Sequence, residues 1–364
     1  MQINRRTFLG AAAAAGSLSL PLTANAKSLK ILFLGGTGFL GPHTVQYAID
    51  RGHEVTLFNR GRSNTDLFPE LEKLVGNRDP DVDDGLSALK GRNFDAVIDT
   101  SGYVPRIVGA SSQVMADQAE HYLFVSTICQ YDGWLEGPQF RTEETSRAIL
   151  DDPTTEDVNT HYCALKAYCE RAAEEAMPGR VTQIRPGLIV GPRDRTDRFT
   201  YWPVRADRGG TMLAPGKPGD LTQYIDVRDL AAFMVHCLEA KLTDSYNVIC
   251  PPLPMGDFLD ACVAVTGKGT ELEWVPADFL AENELQSWQN IQMWADGDSP
   301  RSGSLTWSAD KSLEAGLTIR PVEETIRATL DWFRSLPDDR QASLRSGIPA
   351  DKEAEVLAAW AAAS

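Results

Sequence analysis

The chain has 364 residues, 43% of them hydrophobic, and a formal charge of −16 at neutral pH. That length buries a large core, as one big α/β domain with an appendage or as two closely packed domains. The acidic balance excludes no fold, but it disfavours nucleic acid and anionic membrane surfaces as partners, because both want a basic face.

Residues 1–26 read as a targeting segment and are set aside from the fold. Asn4-Arg5-Arg6-Thr7-Phe8-Leu9 is similar to a twin-arginine motif. A weakly apolar Ala/Gly/Leu stretch follows, then Ala24-Asn25-Ala26, an A-x-A cleavage pattern. The stretch is too short and too rich in small residues to span a bilayer well, so a cleaved signal is expected in place of an anchor. The expected partner is the twin-arginine export machinery, and the expected location is the periplasm or otherwise outside the cytoplasm, with no stable membrane insertion. The six cysteines, Cys129, Cys163, Cys169, Cys237, Cys250 and Cys262, show neither C-x-x-C nor zinc-like spacing. Small buried thiols are the expected state, since a twin-arginine substrate folds in a reducing compartment.

From residue 29 the apolar run Leu29-Lys30-Ile31-Leu32-Phe33-Leu34 predicts a buried parallel strand ending at glycine. Gly35-x-x-Gly38-x-x-Gly41 follows, then a helix over 39–51 and a second strand over 54–58, together a βαβ unit. Glycines here permit the tight turn and let backbone approach a pyrophosphate, while the helix N-terminus offers N–H groups to its charge. The candidate cofactor contacts on this loop are Gly35, Thr37, Gly38, Phe39, Leu40 and Gly41. The second strand ends at Asn59-Arg60, with Arg62 close by, where an acidic residue would favour NAD. A guanidinium suits a 2′-phosphate, so NADP is preferred over NAD. Further apolar runs at 96–98, 122–125 and 181–184, separated by helical patterns, predict a Rossmann-type doubly wound parallel sheet over 27–192. Tyr162-Cys163-Ala164-Leu165-Lys166 gives Y-x-x-x-K on a helix capped by Asn159 or Thr160 and running to about 176, which puts both side chains on one face.

After about 192 the rhythm breaks into loops rich in Gly, Pro and Arg. A helix over 228–240 and a strand over 246–249 follow, so 193–336 is expected as a mixed substrate-binding portion sharing elements with the core. Residues 337–364 form a tail with a terminal helix over 354–363. Arg193, Arg195, Arg198, Arg205 and Arg208 form the one arginine cluster, a phosphate contact or solvated loop charge. Tyr201 and Trp202 line a sugar face or pack in the core. Gln223, Tyr224 and Asp226 fall near the expected pocket wall, Asp226 alternatively as a helix cap. The five histidines lack metal spacing, and no metal is expected.

In order along the chain, the glycine loop, Asp99-Thr100-Ser101-Gly102, Phe124-Val125-Ser126-Thr127-Ile128-Cys129-Gln130-Tyr131, Tyr162-x-x-x-Lys166 and Arg185-Pro186-Gly187 resemble the short-chain dehydrogenase/reductase superfamily. The chain is most similar to its extended, NAD-dependent epimerase/dehydratase type, well over 29–240 and only in general layout elsewhere. The resemblance implies Thr127 as the catalytic hydroxyl, or Ser126 if the register slips, with Tyr162 as general acid/base. It implies Lys166 as the residue that holds the nicotinamide ribose and lowers the Tyr162 pKa. It also places Asn77 and Arg78 near the adenine, Thr100, Ser101 and Gly102 beside ribose and phosphates, and Pro186 and Gly187 near the nicotinamide amide. A homodimer is an arrangement the resemblance allows. Nucleotide-sugar epimerases usually carry Asn where Leu188 stands, which argues against a nucleotide-diphosphate sugar. Export argues the same way, because nucleotide sugars are cytoplasmic. It also argues for a cofactor held and regenerated on one site. The expected activity is therefore redox chemistry on a secondary hydroxyl or keto group of a carbohydrate-like small molecule. The alternatives are a plain NADPH-dependent ketone or aldehyde reductase, and a non-catalytic nucleotide-binding or regulatory protein of the same fold.

Overall fold

The computed structural model describes residues 27–363, so the expected export signal lies outside the described residues. Strands β1 (Lys30–Leu34), β2 (Glu54–Asn59), β3 (Glu72–Val75), β4 (Phe94–Asp99), β5 (Ala119–Val125) and β6 (Val181–Pro186) join Ser245–Val248 in one seven-stranded sheet. Its order is Ser245–Val248, β6, β5, β4, β1, β2, β3, and every pairing is parallel. The sheet is the doubly wound Rossmann-like arrangement that the alternating apolar runs predict. The missed strand is β3, whose Glu72-Lys73-Leu74-Val75 buries one residue at the sheet edge and has no apolar run to betray it.

Strand alternation divides the core. Ile31 and Phe33 point to one face, where helices α1 (Leu40–Asp50) and Val227–Glu239 cover them. Leu32 and Leu34 point to the other, under α2 (Pro105–Met115) and α3 (Val158–Ala176). Both faces of β1 are thus dry, as its continuous apolar run requires. A third apolar cluster gathers Phe199, Tyr201, Trp202, Met212, Phe258 and Trp294, with Val356 of the terminal helix Ala350–Ala363 packed into it.

Two local expectations are corrected. The cap of α3 is Asp157, whose carboxylate accepts from the Asn159 and Thr160 backbone N–H groups at 3.1 and 3.3 Å. Asn159 and Thr160 lie inside the first turn. Tyr201, Trp202 and Gln223 are buried. The two rings sit in the third cluster, while Gln223 donates to the Cys250 and Trp307 carbonyls and accepts from Trp307 N–H. Irregular backbone around 223 needs that amide to satisfy its polar groups.

Candidate active site

A cleft of about 690 Å³ opens at the carboxyl ends of β1, β2, β4 and β5, where doubly wound sheets bind their ligands. The glycine loop forms its floor. A Cβ on Gly41 would stand 2.4 Å from the Gly36 carbonyl carbon, so only glycine lets α1 start so close to β1. A Cβ on Gly38 would meet nothing and project into open space. The N-terminus of α1 has no side-chain cap and no acidic residue in its first turn. Its free N–H groups and the bare Gly38 backbone suit an anion such as a pyrophosphate. The fit to a dinucleotide is therefore a property of these residues.

Of the residues expected at the cofactor, Gly35, Thr37, Gly38, Phe39, Leu40, Gly41, Asn59, Arg60, Asn77, Arg78, Thr100, Ser101 and Lys166 line this one cleft. Asn59 accepts from Gly61 N–H through its side chain and turns the chain outward. That leaves Arg60 exposed at the rim, with no partner among the described residues. Arg78 lines the cleft and is also tied into its wall. Its guanidinium is committed to Asp99 by two 2.6 Å bonds and to Ser111 at 3.0 Å, so it braces the cleft wall. Tyr122 adds its hydroxyl to Asp99 at 2.8 Å. Gly102 contributes its carbonyl to Lys166, and Val108 and Phe124 press where its Cβ would be. Pro186 and Gly187 do not line the cleft. Gly187 packs against Ile249, and Ile189 takes the place on the wall. Arg193 lies in a separate hollow with His43 and Arg228. Arg205 is buried against Glu353, so the arginine cluster disperses.

Tyr162 and Lys166 both reach the cleft from α3, one turn apart. The Lys166 ammonium is buried, donating to the Gly102 and Val125 carbonyls at 2.6 Å each and lying 4.2 Å from the Phe124 ring centroid. Burial pulls its pKa down to about 8. Tyr162 is the more exposed of the two and sits beside Tyr103. Desolvation pushes its phenol up to about 12 and Tyr103 adds to this. The groups that pull it down are the Thr127 hydroxyl and the Arg198 guanidinium. Lys166 donates to two backbone carbonyls, and Thr127 and Arg198 are the groups that most lower the phenol. Thr127 is extended at the end of β5, and Ser126 beside it is buried on the cleft wall with no partner for its hydroxyl. Arg198 was visible in the sequence only as one of five clustered arginines, and Tyr103 carried no signal at all. Leu188 is a core residue of the third cluster.

The sequence model of the NAD dependent epimerase/dehydratase family matches residues 31–248. The chain is similar to the chloroplast stem-loop binding protein of 41 kDa b of Arabidopsis thaliana, 24% identical over 79% of this chain and 77% of that one. It is 28% identical to the 2-alkyl-3-oxoalkanoate reductase of Stenotrophomonas maltophilia, over 66% of this chain and 76% of the other. Among solved structures, the Bordetella bronchiseptica enzyme WbmG in complex with NAD and UDP superposes with a TM-score of 0.62 at 16% identity, covering 85% and 96% of the two chains. At that identity the likeness speaks for the fold.

Proposed function

The chain belongs to the NAD dependent epimerase/dehydratase family, and on that premise we propose that it oxidises and re-reduces a secondary hydroxyl group of a carbohydrate-like small molecule outside the cytoplasm, on a nicotinamide retained through turnover. The observation that carries this reading is the convergence of Tyr162, Lys166, Ser126 and the glycine loop on one cleft, with Thr127 close enough to lower the Tyr162 phenol. When bound, the nicotinamide supplies the hydride acceptor and donor. Tyr162 takes the proton of the substrate hydroxyl at its phenolic oxygen and returns it. Thr127 steadies the same oxygen by donating to it. Lys166, fixed by two carbonyls, would hold the cofactor ribose with its remaining N–H. Leu188 removes the polar contact that nucleotide sugars want, and the acidic charge of −16 speaks against a nucleic-acid partner.

The retained cofactor is what export demands, since no cytoplasmic pool regenerates it there. Native mass spectrometry of the protein from residue 27 onward is expected to show one nicotinamide dinucleotide per subunit surviving extensive dilution. Free exchange of the cofactor would instead favour a plain ketone reductase. The apolar wall of Tyr103, Val104, Ile107 and Val158 beside Tyr162 is compatible with that second reading.

Arg60, exposed and unpaired at the end of β2, supports NADP over NAD. Arg60→Ala is expected to weaken NADP by about 10- to 100-fold, the worth of one charge-assisted hydrogen-bond pair, and to leave NAD almost untouched. Titration calorimetry with both nucleotides decides it, and equal losses for the two would remove the preference.

A further inference from the structure

A disulfide joins Cys129 to Cys163, with their Cα atoms 5.2 Å apart, where the sequence led us to expect free thiols. Its place is what matters. Cys129 lies two residues after Thr127, in the turn Ile128–Gln130, and Cys163 follows Tyr162 directly. We propose that the Cys129–Cys163 bridge is the positioning device that keeps Thr127 and Tyr162 beside one another, so that the acid/base pair is assembled in the oxidised protein and comes apart on reduction.

The backbone around Tyr162 gives the reason. Helix α3 is interrupted at His161 (φ −118°, ψ 21°), so its first turn is not continuous with the rest. Asn159, Thr160, His161 and Tyr162 are all exposed, and the turn is capped at its front by Asp157. Firm anchoring begins further on, where Leu165 is buried, Lys166 meets two carbonyls and Glu170 meets Arg185. Tyr162 falls between the loose turn and the anchored helix. The bridge fastens the residue next to it directly to the turn that carries Thr127. The chain between the two cysteines, 34 positions apart, is mostly irregular, so the covalent link replaces packing that this segment does not supply.

The redox response is confined to this pair. Cys169, Cys237, Cys250 and Cys262 are buried, and burial pushes the first three up to about 12, which leaves them as unreactive thiols. Cys163 is only half-buried and within reach of a reductant. In the reduction a small dithiol gives two electrons, the S–S bond breaks, each sulphur takes a proton, and the dithiol leaves as its own disulfide. A disulfide oxidant such as oxidised glutathione reverses it. On the export reading, the pair would be completed only after the chain has left the reducing cytoplasm.

The test uses the chain from residue 27 onward, before and after dithiothreitol, with free thiols rising from four to six as the check on reduction. Hydrogen exchange of residues 158–163 is expected to speed up about tenfold on reduction while residues 165–176 stay protected. The Tyr162 phenol, read as the ultraviolet difference from Tyr162→Phe in each redox state, is expected to titrate higher, since Thr127 no longer supports its phenolate. NAD binding is expected to hold within about twofold, because Lys166 is anchored independently. Cys129→Ser/Cys163→Ser should behave as the reduced protein and ignore both reductant and oxidised glutathione. A six-thiol protein with unchanged exchange and unchanged Tyr162 titration overturns the proposal. So does a parallel loss of NAD binding and of protection across all of α3, which marks a general staple. None of these readings needs a substrate, so they stand or fall separately from the proposed activity on carbohydrate-like molecules.

Discussion

Replacing Tyr162 by phenylalanine is expected to lower turnover by about 10²- to 10⁴-fold, the range a general acid/base supplies, with nicotinamide affinity almost unchanged. The phenyl ring keeps its contact with Tyr103 and the helix keeps Lys166 in place, so only the proton path is lost. The pH dependence carries the sharper information. Desolvation holds the phenol up to about 12, so near neutrality it is a proton donor. Reduction of a carbonyl uses that neutral form and should be flat across neutral pH. Oxidation of an alcohol needs the phenolate, so its rate should climb with pH, about tenfold per unit below the effective pKa. Binding of the oxidised, positively charged nicotinamide should move the phenol titration down, because a nearby cation favours the anion. Steady-state rates in both directions, together with the difference titration against Tyr162→Phe, check all three statements. A Tyr162→Phe protein with turnover near that of the parent would transfer the proton chemistry elsewhere and remove Tyr162 from the role.

Arg198→Ala separates the two sources of phenolate support. Arg198, in the irregular segment after β6, and Thr127 both lower the phenol. This pairing shows why part of the site was legible in the sequence and part was not. Residues set by local backbone chemistry were readable. The glycine loop must follow an apolar strand and precede a helix, and Tyr162 and Lys166 must share a helical face. The sheet followed from apolar runs whose faces are both covered, and only the edge strand β3, with one buried residue, escaped. Residues set by long-range packing were not readable. Nothing in the local sequence says that Arg78 is taken by Asp99, that Gln223 serves buried backbone, or that Cys129 meets Cys163. Each depends on which chain segments the fold brings together. Tyr201 and Trp202 failed for a related reason, since an aromatic pair looks the same on a sugar face and in a core until its neighbours are known.

Glu170→Gln is expected to cost about 3–5 kcal/mol of folding stability, the loss typical when a buried ion pair is broken by removing one partner. Glu170 on α3 is fully buried and receives Arg185 Nε and Nη2 at 2.9 and 2.7 Å and Arg147 Nε at 3.1 Å. Arg185, on β6, is itself almost fully buried and donates onward to the Tyr131 hydroxyl at 2.8 Å, which donates to Asn247 at 2.7 Å. One carboxylate thus ties α3, β6, Ser245–Val248 and the segment just past Thr127 together. An amide keeps the volume but cancels the charge, and its NH₂ would face guanidinium N–H groups. The Arg185 cation would then sit in low dielectric uncompensated. Glu72→Gln is the control, because its pair with Arg92 is half-exposed on both sides and is worth less than about 1 kcal/mol. Urea unfolding of the two variants beside the parent measures the difference, and equal small losses would mean that the amide finds new partners. The consequence reaches the site. Arg185 and Tyr131 support the turn on which Thr127 and Cys129 ride, while Glu170 lies one turn beyond Lys166 on α3. Loosening this network should therefore degrade the Thr127–Tyr162 register before it degrades the glycine loop, whose close contacts are with β1, β2, Thr100 and the start of α1.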